Sequence, residues 1–165
     1  MIFKFKKHNA DLYTTLLKLS RNVYFYENIK LKDSFETRIY LMFLHFSIIL
    51  IIYKKKSLSF DQSAYDNLFY SIENNLRELG FGDVSVNKKM KDLNKILYDM
   101  LLKIKDSKKD VFVLSKSLVV KYFDIFSNDK TAKYHEFSQY FVKFYNFCFE
   151  LPHNSILKKA INFKH

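Results

Sequence analysis

The sequence predicts an all-α fold, a single-domain irregular bundle of six or seven helices over residues 1–165. Three observations lead there. Two Gly and one Pro in 165 residues are too few to punctuate the turns of a β-sandwich or barrel, whereas helices with short connections need few. Apolar side chains recur at helical spacing along most of the chain. Eighteen Phe and twelve Tyr supply bulky side chains for one core, and a chain of this length buries about 70% of its unfolded surface.

The elements follow in order. Asn9 or Asp11 is placed to cap a first helix running to about Arg21, with Leu12, Leu16 and Leu19 on one face. Val23, Tyr24, Phe25 and Tyr26 add a further turn against the core. Asp33 and Glu36 have the spacing of a capping box and open a helix over 34–55. Its middle, 39–53, is apolar on every face and uncharged for 15 residues, about 22 Å at 1.5 Å per residue. A bilayer core is about 30 Å thick. A buried central helix is therefore expected, with a membrane span as the alternative. His45, among large apolar side chains, is expected to be a hydrogen-bonded core histidine in preference to a haem or metal ligand.

Ser59 or Asp61 caps the next helix, which runs to Leu79 with Tyr65, Leu68, Phe69, Ile72 and Leu76 inward. Gly80 and Gly82, the only glycines, follow at a corner, where Gly80 ends that helix in the left-handed conformation. Asp83 or Ser85 is placed to cap a helix over 86–105 with Met90, Leu93, Leu97, Met100, Leu101 and Ile104 inward. Asp110 opens a helix to about Phe126, and Asp129 one to Leu151 that Pro152 stops. A short turn from Ser155 to about Asn162 ends the chain. Residues 110–165 form a C-terminal helical part.

Net charge is +11, from 25 Lys and three Arg against 17 acidic residues. Such an excess suits RNA, a ribosome surface or anionic lipid, although scattered lysines on solvated faces explain it as well. The distribution is uneven: 57–83 carry −4 and 84–109 carry +5, so the glycine corner joins an acidic helix to a basic one. If Lys88, Lys89, Lys91 and Lys95 share an outward face, they form a strip facing phosphate or a partner.

Catalytic constellations are missing. Two glycines allow no Gly-rich phosphate loop. His8, His45, His135, His153 and His165 show no mutual i, i+3 or i+4 pairing, and no Glu-x-x-His occurs. The lone Cys148 excludes an intramolecular disulfide and multi-cysteine metal sites, and is expected to be buried. The reading is a non-enzymatic protein with no metal, cofactor or small-molecule substrate. No secretory signal is visible at the N-terminus, so a cytoplasmic setting is expected.

Leu76-Arg77-Glu78-Leu79-Gly80-Phe81-Gly82-Asp83, followed by Val86, Lys88, Lys89, Met90 and Lys91, closely resembles the signature of the ubiquinol–cytochrome c chaperone family. Bacterial members read Leu-Arg-Glu-Met-Gly-Val-Gly-Asp there, ahead of a basic helix start. Tyr13, Arg21 and Phe25-Tyr26 resemble the family's first helix and its Phe-Tyr ending. Asp33, Phe35, Arg38 and Leu44-His45 resemble its second block, and Tyr98 stands where the family has Tyr-Gly-Arg. The resemblance is best over 10–102. The chain departs in lacking the prolines of the first two blocks, in Thr37 before Arg38, and in Asp99-Met100 after Tyr98.

The resemblance implies a non-enzymatic assembly factor for respiratory complex III. Such a protein, with a small helical partner, meets newly made cytochrome b at the mitochondrial ribosome exit. This chain looks like a bacterial form, acting in the cytoplasm or peripherally at the inner membrane, where ribosome and anionic lipid are further expected contacts. Arg77, Glu78, Asp83, Lys88 and Lys89 at the corner, and Arg38, are the candidate partner-binding residues. Each is open to the alternative of a structural ion pair. A ribosome- or RNA-associated protein, or a small membrane-associated protein without a respiratory client, is the rival reading.

Overall fold

The computed structural model describes residues 10–105, 111–128 and 132–165. The segment 1–9, the Asp11 side chain, Asp110 and Asp129 lie outside the described residues, and with them the caps expected there. Helices run over Ala10–Ser20 (α1), Val23–Glu27 (α2), Phe35–Lys55 (α3), Gln62–Glu78 (α4), Asp83–Lys105 (α5), Lys116–Tyr122 (α6), Lys133–Glu150 (α7) and Ile156–Lys159 (α8). Short 3-10 turns follow α6 and α8 at Asp124–Phe126 and Ala160–Asn162. No strand occurs among the described residues. The fold is an all-α bundle.

α3 is the axis, packed against α1, α5 and α7. It is long and apolar enough to cross a membrane by length and composition, but eleven of its 21 residues are buried inside the bundle, in keeping with a core helix. Aromatic side chains fill the space between α3 and α7: Phe25, Phe137, Phe141 and Phe144 are fully buried, each worth about 1.5–3 kcal/mol relative to exposure. Cys148 is buried with them, and burial pushes its thiol up to about 12. Of the side-chain polar atoms buried among the described residues, Ser47 Oγ alone has no hydrogen-bond partner.

His45 is fully buried at the heart of this layer. Its Nδ1 lies 2.7 Å from the Leu41 carbonyl oxygen and its Nε2 lies 3.0 Å from the Tyr140 hydroxyl. A carbonyl only accepts, so Nδ1 carries the proton and donates; Nε2 therefore accepts from Tyr140. The rings of Phe25, Phe141 and Phe144 surround the imidazole at 4.8–6.0 Å. Desolvation lowers its pKa from 6.5 to about 4. The histidine is neutral and satisfied, as a core histidine should be.

Several boundaries correct the sequence expectations. Ser34, not Asp33, caps α3, its Oγ accepting from the Thr37 N–H at 3.2 Å; Asp33 is taken instead by Arg38. Asp61, not Ser59, caps α4 by accepting from the Ser63 N–H at 2.9 Å. α5 starts at Asp83 and not at 86. The helix expected over 110–126 is broken. Residues 111–114 alternate exposed and buried, with Phe112 and Leu114 inward, which is the period of an extended chain. Phe123 then leaves helical geometry (φ −129°, ψ 81°) to pack near Tyr40 and Phe137. α6 is held to α5 by Asp99, which receives hydrogen bonds from Lys121 at 2.8 Å and from the Tyr122 hydroxyl. Those contacts hold its carboxyl down at about 2.

The corner is not the sole place where the backbone turns left-handed. Lys30 (φ 68°) and Ser57 (φ 55°) do so without glycine. Ser57 ends α3: its N–H donates to the Lys54 carbonyl at 3.1 Å, and the Leu58 N–H to the Tyr53 carbonyl at 2.8 Å. This pair of bonds is the glycine-type helix stop built on a residue with a Cβ. Ser57→Gly should therefore raise the unfolding free energy by about 1 kcal/mol, read as a higher urea midpoint at unchanged slope; an unchanged or lower midpoint would contradict it.

Candidate functional site: the glycine corner and its cleft

α4 ends at the corner because Gly80 accepts φ +95°, a conformation that costs an L side chain about 1–2 kcal/mol. The Gly80 N–H donates to the Arg77 carbonyl at 3.0 Å and the Phe81 N–H to the Leu76 carbonyl at 3.2 Å, closing the helix end in the same two-bond form. Gly82 is different. Its carbonyl accepts the Val86 N–H at 2.9 Å, so it stands at the N-cap of α5, a position open to Ser, Asn or Asp as well. A Cβ added there meets nothing within 4 Å, and its φ is not left-handed. Neither backbone nor packing demands glycine at 82.

Arg77 clamps the two helices, its guanidinium donating to Glu73 at 3.2 Å and to Asp83 on the first turn of α5. Two of the candidate residues, Arg77 and Asp83, thus form an ion pair with each other. Exposed pairs of this kind set geometry more than they stabilise. Lys89 reaches back to place its Nζ 4.6 Å from the Phe81 ring centroid. Lys88 is exposed and joins no ion pair among the described residues. Although α4 and α5 pack together, Lys88, Lys91 and Lys95 all remain exposed at the i, i+3, i+7 spacing of one helix face. The basic strip exists, without Lys89. Leu79, Phe81 and Val84 at the corner are 59%, 38% and 86% exposed.

Behind the corner lies a cleft of about 390 Å³ between α1, α3 and α4, lined by Tyr13, Arg21, Arg38, Asn75, Glu78 and Leu79 among others. Arg38 is bound on one side, forking onto Asp33 at 2.7 and 2.9 Å, while the nearby Tyr26 hydroxyl donates to the Ser20 carbonyl at 2.7 Å. Asn75 donates to the Tyr13 hydroxyl, tying α4 to α1. Arg21 and Glu78 are exposed and enter no ion pair among the described residues. Of the six candidates, then, Arg38 and Glu78 meet in the cleft, Arg77 and Asp83 pair at the corner, and Lys88 and Lys89 open α5. Arg21 is not among the candidate residues of the sequence; its signal there is its place beside Tyr13 in the block that resembles the family's first helix.

Among the described residues, no group of three His, Cys, Asp or Glu could hold a metal ion. At the corner, exposed Leu79, Phe81 and Val84 stand beside charged side chains, an arrangement suited to holding a partner. The family model described as Ubiquinol-cytochrome C chaperone matches residues 27–162, and the chain belongs to that family. The match begins after Tyr13, Arg21, Phe25 and Tyr26, and it extends well past the stretch of best motif resemblance, 10–102, to residue 162. No curated protein and no solved structure matches the chain.

Proposed function

We propose that this chaperone serves the assembly of the ubiquinol–cytochrome c reductase, respiratory complex III, by binding newly made cytochrome b without performing chemistry on it. Family membership supports the respiratory client. The observation that carries the choice of surface is the convergence of Arg21 from the end of α1, Arg38 from α3 and Glu78 from α4 on one cleft, next to the exposed Leu79, Phe81 and Val84. Exposed apolar side chains beside unpaired charges suit an apolar client with polar connecting loops. The Lys88–Lys91–Lys95 strip gives the same end of the molecule an attraction for anionic partners, a ribosome or a lipid surface. The proposed place of action is the cytoplasmic face of the inner membrane.

The test is a strain lacking the gene. Assembled complex III and its b-type haem should fall while the other respiratory complexes persist, and crosslinking in translating cells should recover cytochrome b. Normal complex III would refute the proposal. Recovery of ribosomes alone, with binding that weakens steeply in salt, would favour an RNA-associated protein instead.

A further inference from the structure

α4 and α5 pack side by side and carry opposite charge on one outer face of the bundle. A groove of about 400 Å³ runs between them, lined by Tyr65, Asp66, Phe69, Tyr70 and Glu73 on α4 and by Met90 and Asn94 on α5. Tyr65 stacks on Phe69 at 4.9 Å and Phe69 on Phe43 at 5.8 Å, so the floor is aromatic and anchored to α3. No Lys or Arg lines the groove among the described residues. Its α4 rim is Asp66, Tyr70 and Glu73, at the i, i+4, i+7 spacing of one helix face. Tyr70 is 53% exposed. Glu73 is shared with Arg77 at 3.2 Å, while Asp66 accepts from the uncharged Gln62 amide at 2.9 Å and enters no ion pair among the described residues. On α5 the residues that follow Met90 and Asn94 are Lys91 and Lys95, both exposed and in no ion pair among the described residues. Tyr98 continues their line at the same spacing and is 60% exposed. The acidic rim and the basic line thus lie next to each other without neutralising each other.

We infer that this face closes on the same face of a second copy of the chain. A two-fold axis parallel to the two helices lays the α5 of each copy over the α4 of the other and leaves heights along the helices unchanged. Met90 and Asn94 already stand across the groove from Asp66–Glu73, so Lys91 and Lys95 of one copy come level with the acidic rim of the other. The contact forms twice, ammonium to carboxylate, with the exposed Tyr70 ring beside it. A partner that is basic throughout would fit the groove and be repelled by α5; an acidic one would fit α5 and be repelled by α4. A second copy carries both signs in the required order. α4 has 17 residues, about 25 Å, and two helices each about 10 Å wide give a face of about 500 Å² per copy. About 1,000 Å² in all is the lower end for a specific interface, so the dimer is a weak, reversible one. The net charge of +11 opposes association at long range, but in about 0.1 M salt charges more than about 10 Å apart are screened and the pairs at the interface are not. The pairing rests on none of the client contacts proposed above. It covers part of the Lys88–Lys91–Lys95 strip, so an anionic surface competes with the second copy for those lysines.

Sedimentation equilibrium of the full chain in about 0.1 M salt tests the inference, over protein concentrations of about 5–500 µM, the range in which so small an interface associates. A monomer–dimer equilibrium that stops at the dimer is expected. Lys91→Glu with Lys95→Glu gives one variant, and Asp66→Lys with Tyr70→Lys a second; each should weaken self-association by about tenfold or more, through like charges at both contacts. An equal mixture of the two variants should dimerise again, because in the mixed pair each reversed line meets a rim of opposite charge. All four positions are exposed, and unchanged melting temperatures establish that the variants fold. A monomer at every concentration, growth past the dimer into longer assemblies, self-association indifferent to either variant, or no recovery in the mixture would each overturn it. None of these outcomes bears on complex III in the deletion strain, so the two proposals fail separately.

Discussion

Between pH 7.5 and pH 4.5 the protein should lose about 2–3 kcal/mol of stability through His45 alone. The group titrates near 6.5 when unfolded and near 4 in the bundle, where burial disfavours the charged ring. A depressed folded pKa means that below pH 6.5 the unfolded chain binds a proton that the folded chain refuses. The stability it secures is therefore complete above about 6.5 and drains away as the pH falls toward 4. Each tenfold step in proton affinity is worth about 1.4 kcal/mol, which gives the figure.

The surroundings are mostly aromatic rings, which do little to solvate a charged imidazole. From α2 and α7 the imidazole meets the rings of Phe25, Phe141 and Phe144 and the hydroxyl of Tyr140, itself raised well above the ordinary tyrosine pKa by burial. A protonated Nε2 would turn donor toward the Tyr140 oxygen, which must then give up the bond it donates to the ring. Urea unfolding at the two pH values measures the loss. His45→Leu with Tyr140→Phe removes the titrating ring and the donor it would orphan, so that double variant should show a difference smaller by those 2–3 kcal/mol. Equal pH dependence in the two proteins would place the acid sensitivity of this range elsewhere than His45; Asp99, held down at about 2, gives up its contribution only below about pH 4.

The sequence made the helices legible because their apolar spacing is regular: Leu12, Leu16 and Leu19, or Leu93, Leu97 and Met100, are buried as the period requires. The boundaries were less legible where two residues could do one job. Asp33 and Ser34 are both good caps, and what decides between them is Arg38, a residue one turn further on that claims Asp33. The segment 111–114 departs from the expected helix for a related reason. Val-Phe-Val-Leu fits a helix by hydrophobicity, and only its period of two, set by where Phe112 and Leu114 pack, marks it as extended.

The site was legible as a stretch of chain but not as a surface. Arg77, Glu78 and Asp83 are neighbours in sequence, yet Arg77 and Asp83 consume each other's charge while Glu78 turns to a cleft shared with Arg21 and Arg38. Which charge remains unspent depends on the angle between α4 and α5, a tertiary quantity that spacing along one helix does not contain.

The two corner glycines should separate folding from contact, with opposite outcomes in the same pair of assays. Gly80→Ala forces a Cβ into φ +95° and should lower stability by about 1–2 kcal/mol. Gly82→Ser has open space around its new side chain and supplies a better N-cap for α5, so its stability should hold or rise by a few tenths of a kcal/mol. If the corner meets the client, Gly82 is where the chain lets another backbone approach between Phe81 and Val84. A larger Gly82→Trp, still in open space, should then leave the melting temperature near that of the parent and yet reduce assembled complex III severalfold in cells that depend on the variant. Chemical denaturation and native-gel quantification of complex III are the two readouts. Full assembly with Gly82→Trp would move the client surface off the corner, to the cleft of Arg21 and Glu78 alone, and would leave Gly82 as a cap that any small polar residue could replace.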